Sequence, residues 1–300
     1  MAEHMTFLPK SAVMSLEEIA DIADLFIDRG VTRIRLTGGE PLVRRDMPEL
    51  ARMIGTRLGH GLDELTMTTN GTRLGLYAPA LVAAGIRRVN VSLDSLDPER
   101  FRHITRVGNL GEVLAGIAAG AAAGLAIKIN MVALKGVNED EVEAMLAWCA
   151  AHGHDLTLIE TMPLGAIDED RVDHFLPLST VRDQLARRYT LTPLEDRTGG
   201  PARYVRVEEL GIRLGLITPM TENFCAGCNR IRLTVSGELF TCLGNDGKVD
   251  LRAAWRAGGR AAVGELLDRA LAAKPKAHDF LIAERGAAPA VSRHMSVTGG

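Results

Sequence analysis

The chain has 300 residues, 46% of them hydrophobic, enough to bury a sizeable core in one large α/β domain or one domain with a smaller companion. A formal net charge of −3 gives no case for a nucleic-acid partner, so any phosphate binding has to be local. Four cysteines, three of them clustered, argue against a disulfide framework and for metal binding in a reducing compartment.

The opening text MAEHMTFLPKSAV has no basic region followed by an apolar core, so no secretory signal is expected and the protein is expected in the cytoplasm. Ser15 and Glu18 form a capping box that starts the first helix. A plan then repeats: amphipathic helix, glycine, β-rich run. Helix ends fall at Gly30, Gly85, Gly124 and Gly153, followed by the strands TRIRL, RRVNVSL, AIKINMV and DLTLIE, while ELTMTTN follows Gly61. Asp97-Pro98 supplies a cap and an N1 proline, and Asn138 with Glu141 repeats the box logic. Such alternation calls for parallel pairing through right-handed crossovers, either a doubly wound sheet or a barrel. The longest apolar stretch, Val113 to Ile127, stops at Lys128 and is too short and small-residue to span a bilayer, so no membrane partner is expected. Cys149, in EVEAMLAWCAA, reads as a buried small hydrophobe.

Polar residues gather where these strands end: Thr37-Gly38-Gly39-Glu40, Thr68-Thr69-Asn70-Gly71, Ser92-Leu93-Asp94, Lys128 with Asn130, and Glu160-Thr161-Met162-Pro163. In barrels the strand C-termini carry function, although each run taken alone is also turn chemistry. Gly38 and Gly39 would let backbone approach a ligand, and Glu40 could accept from an amine, or the run is simply a turn. Arg35 and Lys128 lie inside strands, where an unpaired cation is expensive. Either they face a polar interior and an anionic ligand, or they stand on a solvated outer face.

From about Asp168 the plan changes. DEDRVDHFLPLSTVRDQLARRYTLTPL reads as a loop and a helix capped by Ser179, with Asp168 to Asp170 a solvated acidic loop and Gly199-Gly200-Pro201 a turn. The strand-like runs ARYVRVEEL, GIRLGLITP and RIRLTV are expected to pack around the cysteines. Cys225, Cys228 and Cys242 stand in CAGCNRIRLTVSGELFTC, where three thiolates suit iron or zinc. A structural zinc site would close with a fourth Cys or a His, and the next one, His278, is not at finger spacing, so an open cluster is favoured, with a zinc knuckle as the other reading. Arg230 and Arg232, two apart on a strand, would share one face and could meet phosphates.

Taken together, IRLTGGEPLVRRD, TTNG, VNVSLDSLD, KINMV with KGVN, IETMP, CAGCNRIR with Cys242, and the terminal Gly299-Gly300 resemble the GTP 3′,8-cyclase family of radical S-adenosylmethionine (SAM) enzymes, over nearly the whole chain and in order. The resemblance implies a partial (β/α)6, TIM-like radical SAM barrel over residues 1–165, its first strand missing, and a C-terminal region over 166–300. It also implies conversion of GTP to (8S)-3′,8-cyclo-7,8-dihydroguanosine 5′-triphosphate, the first step of molybdopterin synthesis. By the same resemblance Gly38, Gly39, Glu40, Ser92 and Met162 would meet SAM. Arg35, Thr68, Lys128, Arg230 and Arg232 would meet GTP, and Cys225, Cys228 and Cys242 would hold a [4Fe-4S] cluster whose open iron takes the purine. Gly299 and Gly300 would form a tail entering the active site. An external electron donor, a downstream cyclic pyranopterin monophosphate synthase acting on the product, and a homodimer are the partners implied.

One departure stands against these agreements. The family carries C-x3-C-x2-C on its first strand, the ligands of the cluster that reduces SAM, and no cysteine lies upstream of Arg35 here. MAEHMTFLPK resembles the segment after that motif. The expectation is a chain that starts just past it, by a late start or a shortened sequence, or a chain that has lost catalysis. The alternative function is a catalytically silent nucleotide- and Fe-S- or zinc-binding protein.

Overall fold

The structure, a computed structural model, describes residues 8–165, 171–195, 199–278, 280, 282 and 289–299. Helix α1 (Leu16–Asp28) precedes strand β1 (Arg33–Leu36), α2 (Met47–Gly55) precedes β2 (Glu64–Thr69), and α3 (Leu74–Ala83) precedes β3 (Arg88–Ser92). Two helices, α4 (Pro98–Thr105) and α5 (Leu110–Ala122), separate β3 from β4 (Ala126–Ala133), and α6 (Val142–Ala151) leads to β5 (Asp155–Glu160). Beyond these lie α7 (Arg171–His174), α8 (Leu178–Leu185), and strands β6 (Leu191–Leu194), β7 (Arg203–Val207) and β8 (Ile212–Ile217). The chain continues through β9 (Arg232–Leu233), β10 (Glu238–Phe240), β11 (Lys248–Asp250), α9 (Leu251–Ala272) and α10 (Met295–Thr298).

Strands β1 to β5 pair in parallel in chain order, and β8 joins β5 in parallel before antiparallel β7 and β6 complete the sheet. This is the α/β parallel-strand architecture expected from the helix-strand alternation. The division expected near residue 165 falls inside this continuous sheet. ARYVRVEEL and GIRLGLITP are strands of this same sheet, with Tyr204 and Leu216 lining one cavity with Cys228; Leu214 is fully buried, and β8 is hidden on both faces as a central strand. LTPL, expected in loop or helix, is the edge strand β6, a position where Pro193 has no ladder donor to lose. Of RIRLTV only Arg232–Leu233 is strand, in a separate small sheet with β10 and β11.

The pleat sorts the side chains. Ile34, Leu65, Met67, Val89, Val91, Ile129 and Leu158 point to one face and merge with the helices in a single core. The alternate positions, Arg35, Thr66, Thr68, Asn90, Lys128, Asn130 and Thr157, point to the other face, which is polar.

Local signals mostly act as expected. Ser15 accepts from Glu18 N–H while Glu18 accepts from Ser15 N–H, and Asp97 accepts from Arg100 N–H at 2.7 Å. Gly30, Gly85, Gly124 and Gly153 all take positive φ. Asn138, however, caps nothing: its amide donates to Asp94 O and Val132 O and accepts from Leu134 N–H, locking the loop after β4 against the one after β3. Ser179 lies inside α8, and the N–H at the head of that helix goes to the Glu160 carboxylate instead. The acidic run Asp168 to Asp170 lies outside the described residues.

Candidate active site

The polar face of the sheet is a field of cations. Arg35, on β1, is nearly enclosed, and its Nε has no hydrogen-bond partner among the described residues. Burial lowers its pKa, helped by the neighbouring Arg88, with Glu64 opposing and Arg230 adding a further depression. Arg88 is held by Glu64 at 2.7 Å and donates to Asn90 at 3.1 Å. Lys128, 6% exposed, donates to the Tyr204 hydroxyl at 3.0 Å, and burial holds its ammonium below the usual lysine range. Thr68 Oγ1, Asn130 Oδ1 and Thr157 Oγ1 are buried on this face without partners. An interior that buries cations and leaves donors and acceptors unmet is built for a polar, anionic occupant.

The strand C-terminal rim closes over this face. Gly38 has φ 149°, a conformation favouring glycine, with open space where a side chain would point. Glu40 does not stand free for an amine: its carboxylate accepts from Leu42 N–H at 2.9 Å, Thr69 Oγ1 at 2.8 Å and Asn70 N–H at 2.6 Å. It ties the loop after β1 to the loop after β2, leaving Gly38 and Gly39 as the open part of that turn. Burial raises its pKa against those three hydrogen bonds. Ser92 is exposed at the end of β3, beside Asn130 in register, and Met162 follows β5. The C-terminal tail runs across the same rim. Ala290 N–H donates to Pro163 O, Gly165 N–H donates to Val291 O, and Gly299 packs so closely on Thr37 that a Cβ would lie 2.2 Å from its methyl. Gly300 lies outside the described residues.

The cysteine run adjoins this field. Arg230 donates to Cys228 Sγ at 3.6 Å and lies 5.1 Å over the Phe224 ring. Burial would raise the Cys228 thiol, but the Arg230 backbone and guanidinium, with Lys274, outweigh it and hold the thiol below its ordinary range. Arg232 is lowered to about 10, first by burial and then by Arg230, with Cys228 and Cys242 both near enough to oppose the shift. Arg293 clamps the third arm, donating to Cys242 O at 3.3 Å and Leu243 O at 2.6 Å, with its charge 4.2 Å over Phe240. No three metal-ligating side chains among the described residues close on one point, as the ligands of a single ion would. A cubane makes no such demand, since each thiolate takes its own iron. Soft sulfur among cations fits an anionic iron–sulfur cluster better than a compact zinc knuckle. A cavity of about 950 Å³, lined by Tyr204, Phe224, Cys228 and Arg230, opens beside the run.

Tyr204 and Glu160 were not singled out as site residues by sequence reasoning. Tyr204 sits at an alternate position of ARYVRV, but its partner Lys128 is 76 positions away. Glu160, fully buried, gathers Leu178 N–H, Met220 N–H, Thr221 N–H and Thr221 Oγ1, joining the Met162 loop to the one leading to Cys225.

The parallel α/β sheet, with its open glycine turn after β1, falls within residues 2–149 for its first four strands, and those residues match the Radical SAM superfamily, which makes the chain a radical SAM protein. Residues 154–280 match Molybdenum Cofactor Synthesis C. Relatives described as GTP 3′,8-cyclase from Erythrobacter litoralis, Rhizobium etli and Rhodopseudomonas palustris are each 56% identical over the whole of this chain and 90%, 86% and 88% of their own lengths. The chain belongs to the GTP 3′,8-cyclase family. A solved structure described as native anSMEcpe with bound AdoMet aligns over 52% of this chain and 45% of that one, at a TM-score of 0.43 and 15% identity. Among the described residues no helix is long and apolar enough to cross a membrane.

Proposed function

We propose that the chain serves the GTP-cyclising step of molybdenum-cofactor synthesis, with residues 1–165 presenting SAM and residues 166–300 presenting the substrate cluster. Cys225, Cys228 and Cys242 hold a [4Fe-4S] cluster with one iron open to the purine. When bound, SAM and its reducing cluster supply the radical chemistry, fed by an external electron donor. The chain's own residues bind and orient. Arg35, Lys128 and Arg230 take the triphosphate, because charge-assisted contacts to phosphate suit cations grouped on one polar face. Thr68 and Asn130 offer a hydroxyl and a carbonyl to the sugar or base. Gly38, Gly39, Ser92 and Met162 form the rim for SAM, with Glu40 fixing the shape of that turn. The Gly299-Gly300 tail excludes water from the rim.

The observation that carries this reading is the Arg35 guanidinium, enclosed with an unpartnered Nε beside Lys128, Arg88 and Arg230. Titration calorimetry is expected to detect GTP binding to the chain. Arg230→Ala is expected to cost about 1.5–3 kcal/mol, roughly 10- to 150-fold in Kd. Equal GTP affinity in that variant removes Arg230 from the site.

A further inference from the structure

The three thiols ride on two arms of backbone: Cys225 and Cys228 ahead of β9, and Cys242 after β10. The hairpin between the arms is short: at its turn Thr234 N–H donates to Glu238 O at 2.9 Å, and towards the arms its ladder pairs Leu233 with Leu239 and Arg232 with Phe240. Two pairs do little to fix the separation of anything beyond them. Where the arms leave the ladder, a side chain from elsewhere takes over. Lys274, two residues past α9, donates through Nζ to Arg230 O at 2.9 Å and also to Thr241 O. One ammonium thus joins a carbonyl two residues after Cys228 to the carbonyl just before Cys242. An ammonium has three donors and no acceptor, so it can act as a rung that two carbonyls cannot make with each other. Its charge therefore sits on the two carbonyls that flank Cys228 and Cys242.

We infer that Lys274 is the positioning residue of the cluster site. It sets the separation at which the two arms present their thiolates, and its charge raises the reduction potential of the bound cluster. Groups behind metal ligands commonly govern metal retention by about 10- to 100-fold. The inference rests on the reading that Cys225, Cys228 and Cys242 hold a [4Fe-4S] cluster.

The test is anaerobic iron and sulfide reconstitution of the unsubstituted chain, Lys274→Met and Lys274→Arg in parallel. Iron and sulfide per chain, loss of cluster to a chelator, the electron paramagnetic resonance signal and the midpoint potential are read. Lys274→Met keeps the aliphatic stem and is expected to lose its cluster about 10-fold faster, with a lower midpoint potential. Lys274→Arg can still donate to both carbonyls and is expected to recover retention. Unchanged retention, signal and potential in Lys274→Met overturn the inference. If Lys274→Met does not fold, Lys274→Arg decides: cluster retention at a near-normal potential supports the bridge, and a folded variant that takes up no cluster overturns it. If the unsubstituted chain takes up no iron and sulfide, the cluster reading fails first and this inference falls with it.

Discussion

Asp94 illustrates what a single enclosed carboxyl does to the whole. Its Oδ1 accepts from Val132 N–H at 2.7 Å, yet burial outweighs that hydrogen bond and raises its pKa from the ordinary 3.8 to about 6. Between those values the native chain holds a proton that the unfolded chain has released. Stability from this group therefore falls as pH rises from about 4 to about 6 and is level above, by on the order of 2 kcal/mol after discounting for the part that meets solvent. Asp94→Asn is expected to flatten the urea midpoint across that window. An unchanged slope would show that Asp94 titrates normally. Among residues, those with charge inside a β pattern were legible as a choice: Arg35 and Lys128 pointed either to a polar interior or to a solvated outer face, and the structure places both on the polar face with Thr68 and Asn130. Residues whose meaning lies in a distant partner were not, because nothing local marks Tyr204 as the acceptor for Lys128, or Glu160 as the acceptor for Met220 and Thr221. Glu40 was legible as important, but its two shortest hydrogen bonds come from Asn70 and Thr69 in the loop after β2, which nothing local to Glu40 marks.

At the scale of elements, the fit of α5 against the loop after β2 depends on one missing side chain. A Cβ at Gly116 would lie 2.0 Å from Gly71 O, a backbone atom that cannot rotate away. Alanine is the better helix former by about 1 kcal/mol, but overpacking costs about 1–3 kcal/mol, and here the obstacle is backbone, so the cost is expected to win. Gly116→Ala is expected to lower the urea midpoint, and a raised midpoint would mean that α5 can slide. The strands β1 to β5 were readable because each follows a helix and a glycine stop and carries one apolar face. The membership of β6 to β8 in the same sheet was not readable. Their pairing to β5 depends on a crossover through α7 and α8, and their text looks the same whether it closes a barrel or covers a cluster.

At the largest scale, these 300 residues carry cysteines at 149, 225, 228 and 242. Cys149 is fully buried, and burial pushes its thiol up to about 12, so it supplies no thiolate. In the proposed assignment the other three hold one cluster, and a cluster turned to the purine would not chelate methionine. These 300 residues by themselves are expected to form no 5′-deoxyadenosine from SAM under dithionite. Supplying a strand with C-x3-C-x2-C ahead of them is expected to bring SAM cleavage and GTP cyclisation together. Chromatography of anaerobic assays decides, and 5′-deoxyadenosine from the 300-residue chain would overturn the assignment of the cysteines to the substrate side.

The buried cations of the polar face also bear on how long the molecule lasts. A guanidinium and an ammonium whose charge burial penalises more than Glu64 and Tyr204 offset lower the stability of the empty protein, so Arg35→Met is expected to raise the melting temperature while weakening nucleotide binding. Nucleotide reverses the deficit by mass action, adding about 2.7 kcal/mol at a hundredfold excess over Kd. In a cell, proteases act on whatever fraction is open. If nucleotide binds as proposed, the half-life of the protein would lengthen with nucleotide supply and shorten without it.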